Sequence, residues 1–486
     1  MNWAHSREAR SGFAFALCLL TAVACSGLKS ADVSVTINVP EAGTTPTSGD
    51  DGTKNDDPIL PPPAVDAGTP PDDFSCEKNY WVLTDKTRPE CAARQVKVIT
   101  TTPNPMNNGV SIARTSIGRI GISFNSDPDA DTSKLRVAHF KPTKPDFDAP
   151  VIVTRESPDL QHVGYMNRIV ASAPDTFHVL TFDFGSASNI GSVSTQKLVN
   201  GKGPLTDPQV VATEVPTPTE LGFAIDSVKT QYALVRLAVP TDKAKVLAFQ
   251  KPNDGEWGTL PDLPSLGYGL LPKEAPASGA SSMVVDGNDR LHVLYHHNEV
   301  RFGSTPRYHV MSTSQWSYRK TIDNNTLDGW CGYSLRLGIF GSRKYALYFF
   351  HKAAQDTPTP VAELRLSSWV TEDDEPTHEV IDQQIPSVTT QAPRYRAAMA
   401  IDKYGLIHLA IVRPSPNEAH GYLEYRRQQR VVGGGTRWIS DIVDDDVLSE
   451  PSAANVDLLV DENARPHIAY VSGKDLLLRY ATRFDR

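Results

Sequence analysis

Four histidines recur at one place in a repeated phrase. His292, His408 and His467 each stand six residues after an aspartate. The phrases are Met283-Val-Val-Asp286-Gly-Asn-Asp-Arg-Leu-His292, Met399-Ala-Ile-Asp402-Lys-Tyr-Gly-Leu-Ile-His408 and Leu458-Leu-Val-Asp461-Glu-Asn-Ala-Arg-Pro-His467. His178 stands six residues after Ser172. Imidazoles and carboxylates in such numbers are the raw material of a metal site. The position nevertheless falls in the second strand of each repeat, away from any common axis, so equivalent histidines of different repeats cannot share one ion. The expectation is structural: each ring satisfies polar groups of its own turn, and neither metal nor cofactor is called for. A second set suits recognition. Tyr165, Asn167 and Arg168, Trp330 and Tyr333, and Arg394, Tyr395 and Arg396 all precede or open an apolar strand, and His296 and His297 come from a neighbouring loop. Aromatic rings and guanidiniums fit sugars, carboxylates or protein hot spots. No G-x-S-x-G, H-E-x-x-H or phosphate-binding loop is present. Acidic runs such as Asp373-Asp374 and Asp444 to Asp446 fall in polar connections. No catalytic residue is therefore assigned.

These residues are positioned by a repeat. The turn positions 115, 172, 226, 286, about 340, 402 and 461 are separated by roughly 54 to 62 residues, and each joins two apolar strands. A period of this size built only of strands and turns predicts an all-β fold, a seven-bladed β-propeller of four-stranded antiparallel blades over residues 95–486. The seventh repeat runs out after three strands. The segment Gln95-Val-Lys-Val-Ile-Thr100, ahead of the first repeat, alternates like a strand and is expected to close the last blade, which removes two open sheet edges. Within the fourth repeat the strands are expected near 281–285, 291–295, 308–313 and 316–322. Trp316 opens the outermost of these. Trp257 and Trp438 hold the same place in other repeats and Trp369 lies close to it, as packing residues against a neighbouring blade. The connections between second and third strands are long and variable: Asn125 to Lys134, His296 to Arg307, His351 to Val361 and Arg413 to Gly421. Function tends to sit on variable loops of a rigid scaffold, so that face is the expected binding face.

The N-terminus reads as an address. Arg7 and Arg10 precede the apolar run Phe13 to Leu20, which has signal-peptide length. The following Thr21-Ala-Val-Ala24-Cys25-Ser26 resembles the lipobox of bacterial lipoproteins, with Ala22 where that pattern prefers Leu. The resemblance implies a signal peptide over 1–24, lipidation of Cys25 and attachment to the cell envelope, with the outer membrane favoured by Ser26. Cleavage after Ala24 without lipidation would instead give a secreted protein. Residues 25–73, rich in Pro, Gly, Thr and Asp, read as a disordered tether. Cys76 and Cys91 flank a short loop and are expected to form a disulfide pinning a lead-in over 74–94.

The 486 residues carry a net charge of −9, which argues against a nucleic-acid partner. The strand-Asp-turn-His-strand phrase resembles repeats of bacterial surface propellers related to the sialidase-like superfamily, over residues 95–486. The nearest fragment to the sialidase Asp-box Ser-x-Asp-x-Gly-x-Thr-Trp is Asn253-Asp-Gly-Glu-Trp257, which lacks the leading Ser and the spacing. The resemblance therefore carries the fold, not a glycosidase activity. The reading is a membrane-anchored, monomeric binding module for a glycan or an envelope or surface protein, touching the membrane through its lipid alone. The alternative is a propeller lyase or hydrolase acting on extracellular polysaccharide, in which a His-Tyr-Arg set would abstract a proton beside a uronate.

Overall fold

The computed structural model describes residues 97–98 and, with short interruptions, 110–482. The chain divides into two compact units, Met1–Pro61 and Pro62–Arg486, and all described residues belong to the second. Cys25, the tether, Cys76 and Cys91 lie outside the described residues. So do Arg394 and Tyr395.

Every described element is a strand, and the fold is an all-β propeller. Five sheets have four strands each and one has eight. In the fourth repeat the strands are Ser281–Val285, Leu291–Glu299, Gly303–Ser312 and Gln315–Thr321, paired antiparallel in chain order. The eight-stranded sheet holds the first two repeats. Its halves meet at one parallel pairing, Ser133 with His162. The strand Lys97–Val98 pairs antiparallel with Leu478–Thr482, Lys97 opposite Tyr480. The first strands of successive repeats pack side by side: Ser111–Arg114, His162–Ala173, Pro218–Ile225, Ser281–Val285, Gly329–Phe340, Arg396–Ile401 and Val456–Val460, the last returning to the first.

The middle strands explain why the sheets stack. Gln231–Leu237 and Pro466–Val471 are buried along their whole length, because each is flanked by strands in its own sheet and covered by a neighbouring sheet on each face. The core accordingly lies between repeats. One apolar cluster joins Val412, Leu423 and Tyr425 of the sixth repeat to Leu458, Ile468 and Tyr470 of the seventh. Another joins Ile120, Phe124 and Phe140 of the first to Val471, Leu478 and Tyr480 of the seventh. Each fully buried large side chain contributes about 1.5–3 kcal/mol. The tryptophans reinforce this. The indole N–H groups of Trp257, Trp316 and Trp438 donate to Thr195 Oγ1 (3.2 Å), the Pro261 carbonyl (2.8 Å) and Glu379 Oε1 (2.7 Å), each on the preceding repeat. Trp369 meets Tyr308 edge-on at 5.0 Å.

One expectation about the connections is corrected. In the fourth repeat, described residues expected in a long loop extend the strands. The ladder of the fourth repeat runs on through His296 opposite Pro306 and His297 opposite Thr305 to Glu299 opposite Gly303. The run Leu291 to Glu299 contains neither Gly nor Pro, so nothing in it stops the strand at Tyr295. His296 and His297 are therefore ladder residues, not loop residues.

Candidate functional site

The Asp turns come first, because they fix the ends of the strands that line the hub. In the sixth repeat the Asp402 N–H donates to the Leu406 carbonyl at 3.0 Å, and the Gly405 N–H donates to the Asp402 carbonyl at 3.0 Å. Asp402 Oδ1 accepts from the N–H groups of Tyr404 (2.8 Å) and Leu406 (2.9 Å). Asp286 and Asp461 do the same. The residue three after the Asp is left-handed in each: Lys229, Asp289, Gly405 and Ala464 have φ of 68°, 59°, 78° and 58°. Only a short side-chain acceptor reaches both N–H groups, which is why Asp recurs.

The second carboxylate oxygen faces the recurring histidine. Nε2 of His292 and of His408 stands 3.0 and 3.3 Å from Oδ2 of Asp286 and Asp402, and in the seventh repeat the gap is 3.6 Å. Nδ1 of His292, His408 and His467 meets Tyr308, Tyr425 and Tyr480 hydroxyls at 2.5, 2.6 and 2.6 Å. In the second repeat Ser172 replaces the Asp and meets His178 Nε2 at 2.6 Å. His292, His408 and His467 thus meet partners of their own repeats, and no group of three potential metal ligands exists among the described residues. Burial alone would raise the Asp286 and Asp461 pKa values. The hydrogen bonds they accept outweigh it, and both carboxyls fall to about 2. Burial lowers His178 to about 4, with Lys197 and Lys251 adding to the effect.

The first strands carry the more distinctive chemistry. The residue four before each turn position is Ser111, Arg168, Gly222, Ser282, Arg336, Ala398 or Asp457. Six of these seven line one cavity of about 200 Å³ at the hub. The short oxygens stitch neighbouring strands: the N–H groups of Ile112, Ile169 and Leu337 donate to Asp457 Oδ2 (2.9 Å), Ser111 Oγ (3.3 Å) and Ser282 Oγ (3.1 Å). The two arginines behave differently from one another. Arg168 pairs with Glu220 and donates to the Asn167 carbonyl at 3.1 Å. Arg336 donates to the Leu335 carbonyl at 2.9 Å and has no carboxylate in ion-pair contact among the described residues. Burial lowers the Arg336 pKa, and Glu220 and Asp457 oppose that fall while Arg168 adds to it.

Three of the residues expected at the site, Tyr165, Arg168 and His296, have described side chains. Arg168 lines the hub. Tyr165, three residues earlier, packs edge-on against Phe184 (5.1 Å) and His162 (6.0 Å). His296 is buried between the third and fourth repeats, its Nδ1 3.5 Å from Arg236 Nη2. The described contacts give these three different partners. Trp330, Tyr333 and Arg396 sit in first strands, opposite His351, Phe349 and Val412. The side chains of these three and of His297 lie outside the described residues. Sequence reasoning missed Arg336, Glu220 and Asp457. Reading down the column four before each turn would have found Arg336 and Asp457.

No protein-family model matches this sequence, and no curated protein matches it either. Solved structures do. An ulvan lyase of a polysaccharide lyase family, bound to -[GlcA(1-4)Rha3S]-, aligns at 10% identity and TM-score 0.48 over 80% of this chain and 98% of that one. The Trypanosoma rangeli sialidase, in complex with the inhibitor DANA, aligns at 10% identity and TM-score 0.40 over 78% of this chain and 55% of that one. The Aleuria aurantia lectin, a six-bladed propeller with a fucose recognition mode, aligns at 10% identity and TM-score 0.40 over 71% and 98%.

Proposed function

We propose that this protein is a seven-bladed propeller, held outside the cytoplasm by a lipid on Cys25, that binds an acidic glycan at its hub. The blade count is supported by the ring of seven first strands and by the single parallel pairing that links the two halves of the eight-stranded sheet. The pairing of Lys97–Val98 with Leu478–Thr482 supplies the closing strand. The anchor rests on the small-residue run that ends at Cys25.

The observation that carries the binding function is the hub cavity with two guanidiniums from different blades, one of them without a carboxylate partner among the described residues. A carboxylate or sulfate on a sugar would complete Arg336 in a fixed bidentate geometry. We read the hub as a binding site, because Glu220 is engaged by Arg168 and Asp457 by backbone N–H groups.

A glycan array on the purified protein, followed by a release assay on each hit, tests this. The expected hits carry acidic sugars, are lost in Arg336→Gln, and release no fragment. Hits confined to neutral sugars would refute the assignment. Released unsaturated or reducing ends would make the protein an enzyme.

A further inference from the structure

We propose that the cleft between the fifth and sixth repeats, on the face of the Asp turns, is a second carbohydrate site, for a sugar residue bearing a carboxylate. The cleft encloses about 410 Å³, within the roughly 300–1,000 Å³ of small-molecule sites. Arg343 enters from the fifth repeat and Arg430 from the sixth. Arg343 donates one hydrogen bond, from Nη1 to Ser368 Oγ at 3.3 Å, and Arg430 one, from Nη2 to the Tyr404 carbonyl at 3.0 Å. Neither forms an ion pair among the described residues. Arg365, Arg413, Arg426 and Arg479, by contrast, are all engaged by carboxylates. Two guanidiniums from opposite walls, each with most of its N–H donors unspent, form a clamp for a planar anion.

The remaining lining suits a sugar better than a bare ion. Glu379 Oε1 accepts the Trp438 indole N–H at 2.7 Å, which leaves its other oxygen to accept from a hydroxyl. Gln428 Oε1 accepts the Ile407 N–H at 3.2 Å, which leaves its amide N–H groups for a ligand oxygen. Tyr404, 37% exposed, carries Lys403 Nζ over its ring at 4.9 Å, a further cation beside the cleft. The charged lining is two arginines against one glutamate, a balance that favours an anion. The wall is held in advance. Gly405 lies at φ 78°, and a Cβ there would stand 2.7 Å from the Phe340 ring, so the turn packs flat against the fifth repeat.

Saturation-transfer NMR on the full chain tests the site, with sodium glucuronate, glucose and inorganic phosphate as probes. The reference is the Arg336→Gln chain, in which the hub is disabled. There glucuronate is expected to receive saturation and glucose at least about tenfold less. The glucuronate signal should vanish when Arg343→Gln is added, which gives up one hydrogen bond to the half-buried Ser368, and likewise when Arg430→Gln is added. The proposal fails if glucuronate gives no signal in the Arg336→Gln chain. It also fails if the signal survives both cleft variants in that background, or if equimolar phosphate abolishes it.

Discussion

Replacing Asp402 should unpin the turn between the first two strands of the sixth repeat. Its carboxylate accepts two turn N–H groups at 2.8 and 2.9 Å and faces His408 Nε2 at 3.3 Å, in a side chain that is 2% exposed. A hydrogen bond to a charged acceptor contributes about 1.5–3 kcal/mol, and a neutral one about 0.5–1.5 kcal/mol. Because the turn N–H groups are only part-buried, water recovers some of the loss. Asp402→Ala should cost about 3 kcal/mol. Asp402→Asn keeps one oxygen for both N–H groups and should cost about 1 kcal/mol. The assay is urea unfolding at pH 7 and again near pH 3, followed by Trp fluorescence. Burial by itself would raise the Asp402 pKa, but His408 and the Leu406 and Tyr404 N–H groups lower it below its ordinary value. Its contribution is therefore complete above about pH 4 and is lost as pH falls below that. The gap between native and Asp402→Asn should narrow at pH 3. Equal midpoints for native and Asp402→Ala, or equal costs for Ala and Asn, would refute the assignment of the turn to this carboxylate.

Four further outcomes are expected. His178, lowered to about 4, is neutral in the fold, so about 3 kcal/mol of stability should drain away as pH falls from about 6.5 to 4; His178→Gln should flatten that slope in a pH series of melts. Asp444 is 2% exposed and accepts from Tyr470 Oη (2.7 Å) and Arg479 Nη1 (2.7 Å) across a repeat boundary, so Asp444→Ala should cost about 3–5 kcal/mol by chemical denaturation. A chain starting at Pro105 loses the strand Lys97–Val98 and exposes the edge of Leu478–Thr482; light scattering on warming should show it aggregating before the full chain does. Cys25→Ala should move the protein out of the membrane fraction and abolish palmitate labelling.

Much of the fold was legible because its signals are local. An Asp, a left-handed residue and a second apolar run sit within ten residues, and their recurrence at one spacing marks strand and turn in each repeat. The role of His408 followed from position alone: six residues after Asp402 is the one place in the second strand from which a ring reaches back to the turn. The third member, Tyr425, is 17 residues beyond His408, and nothing near either residue announces it. The hub was less legible. Arg168 stood out among aromatics, but Arg336 sits inside the apolar run Leu335-Arg-Leu337 and reads as an interruption until the repeats are stacked. Glu220 reaches Arg168 across a sheet boundary, a contact that no spacing encodes. His296 misled because a ladder extension and a loop share the same polar residues, and only pairing with Thr305 and Pro306 separates them.

The central claim is that an acidic sugar seats on Arg336 at the hub. Titration calorimetry of the native protein, Arg336→Gln and Arg343→Gln with the strongest acidic hit from the array, at two salt concentrations, tests it most directly. The account predicts that Arg336→Gln weakens binding at least about tenfold with the melting curve unchanged. It also predicts that the native affinity falls as salt rises and that Arg343→Gln leaves the hub isotherm in place. An Arg336→Gln isotherm that overlays the native one would contradict it.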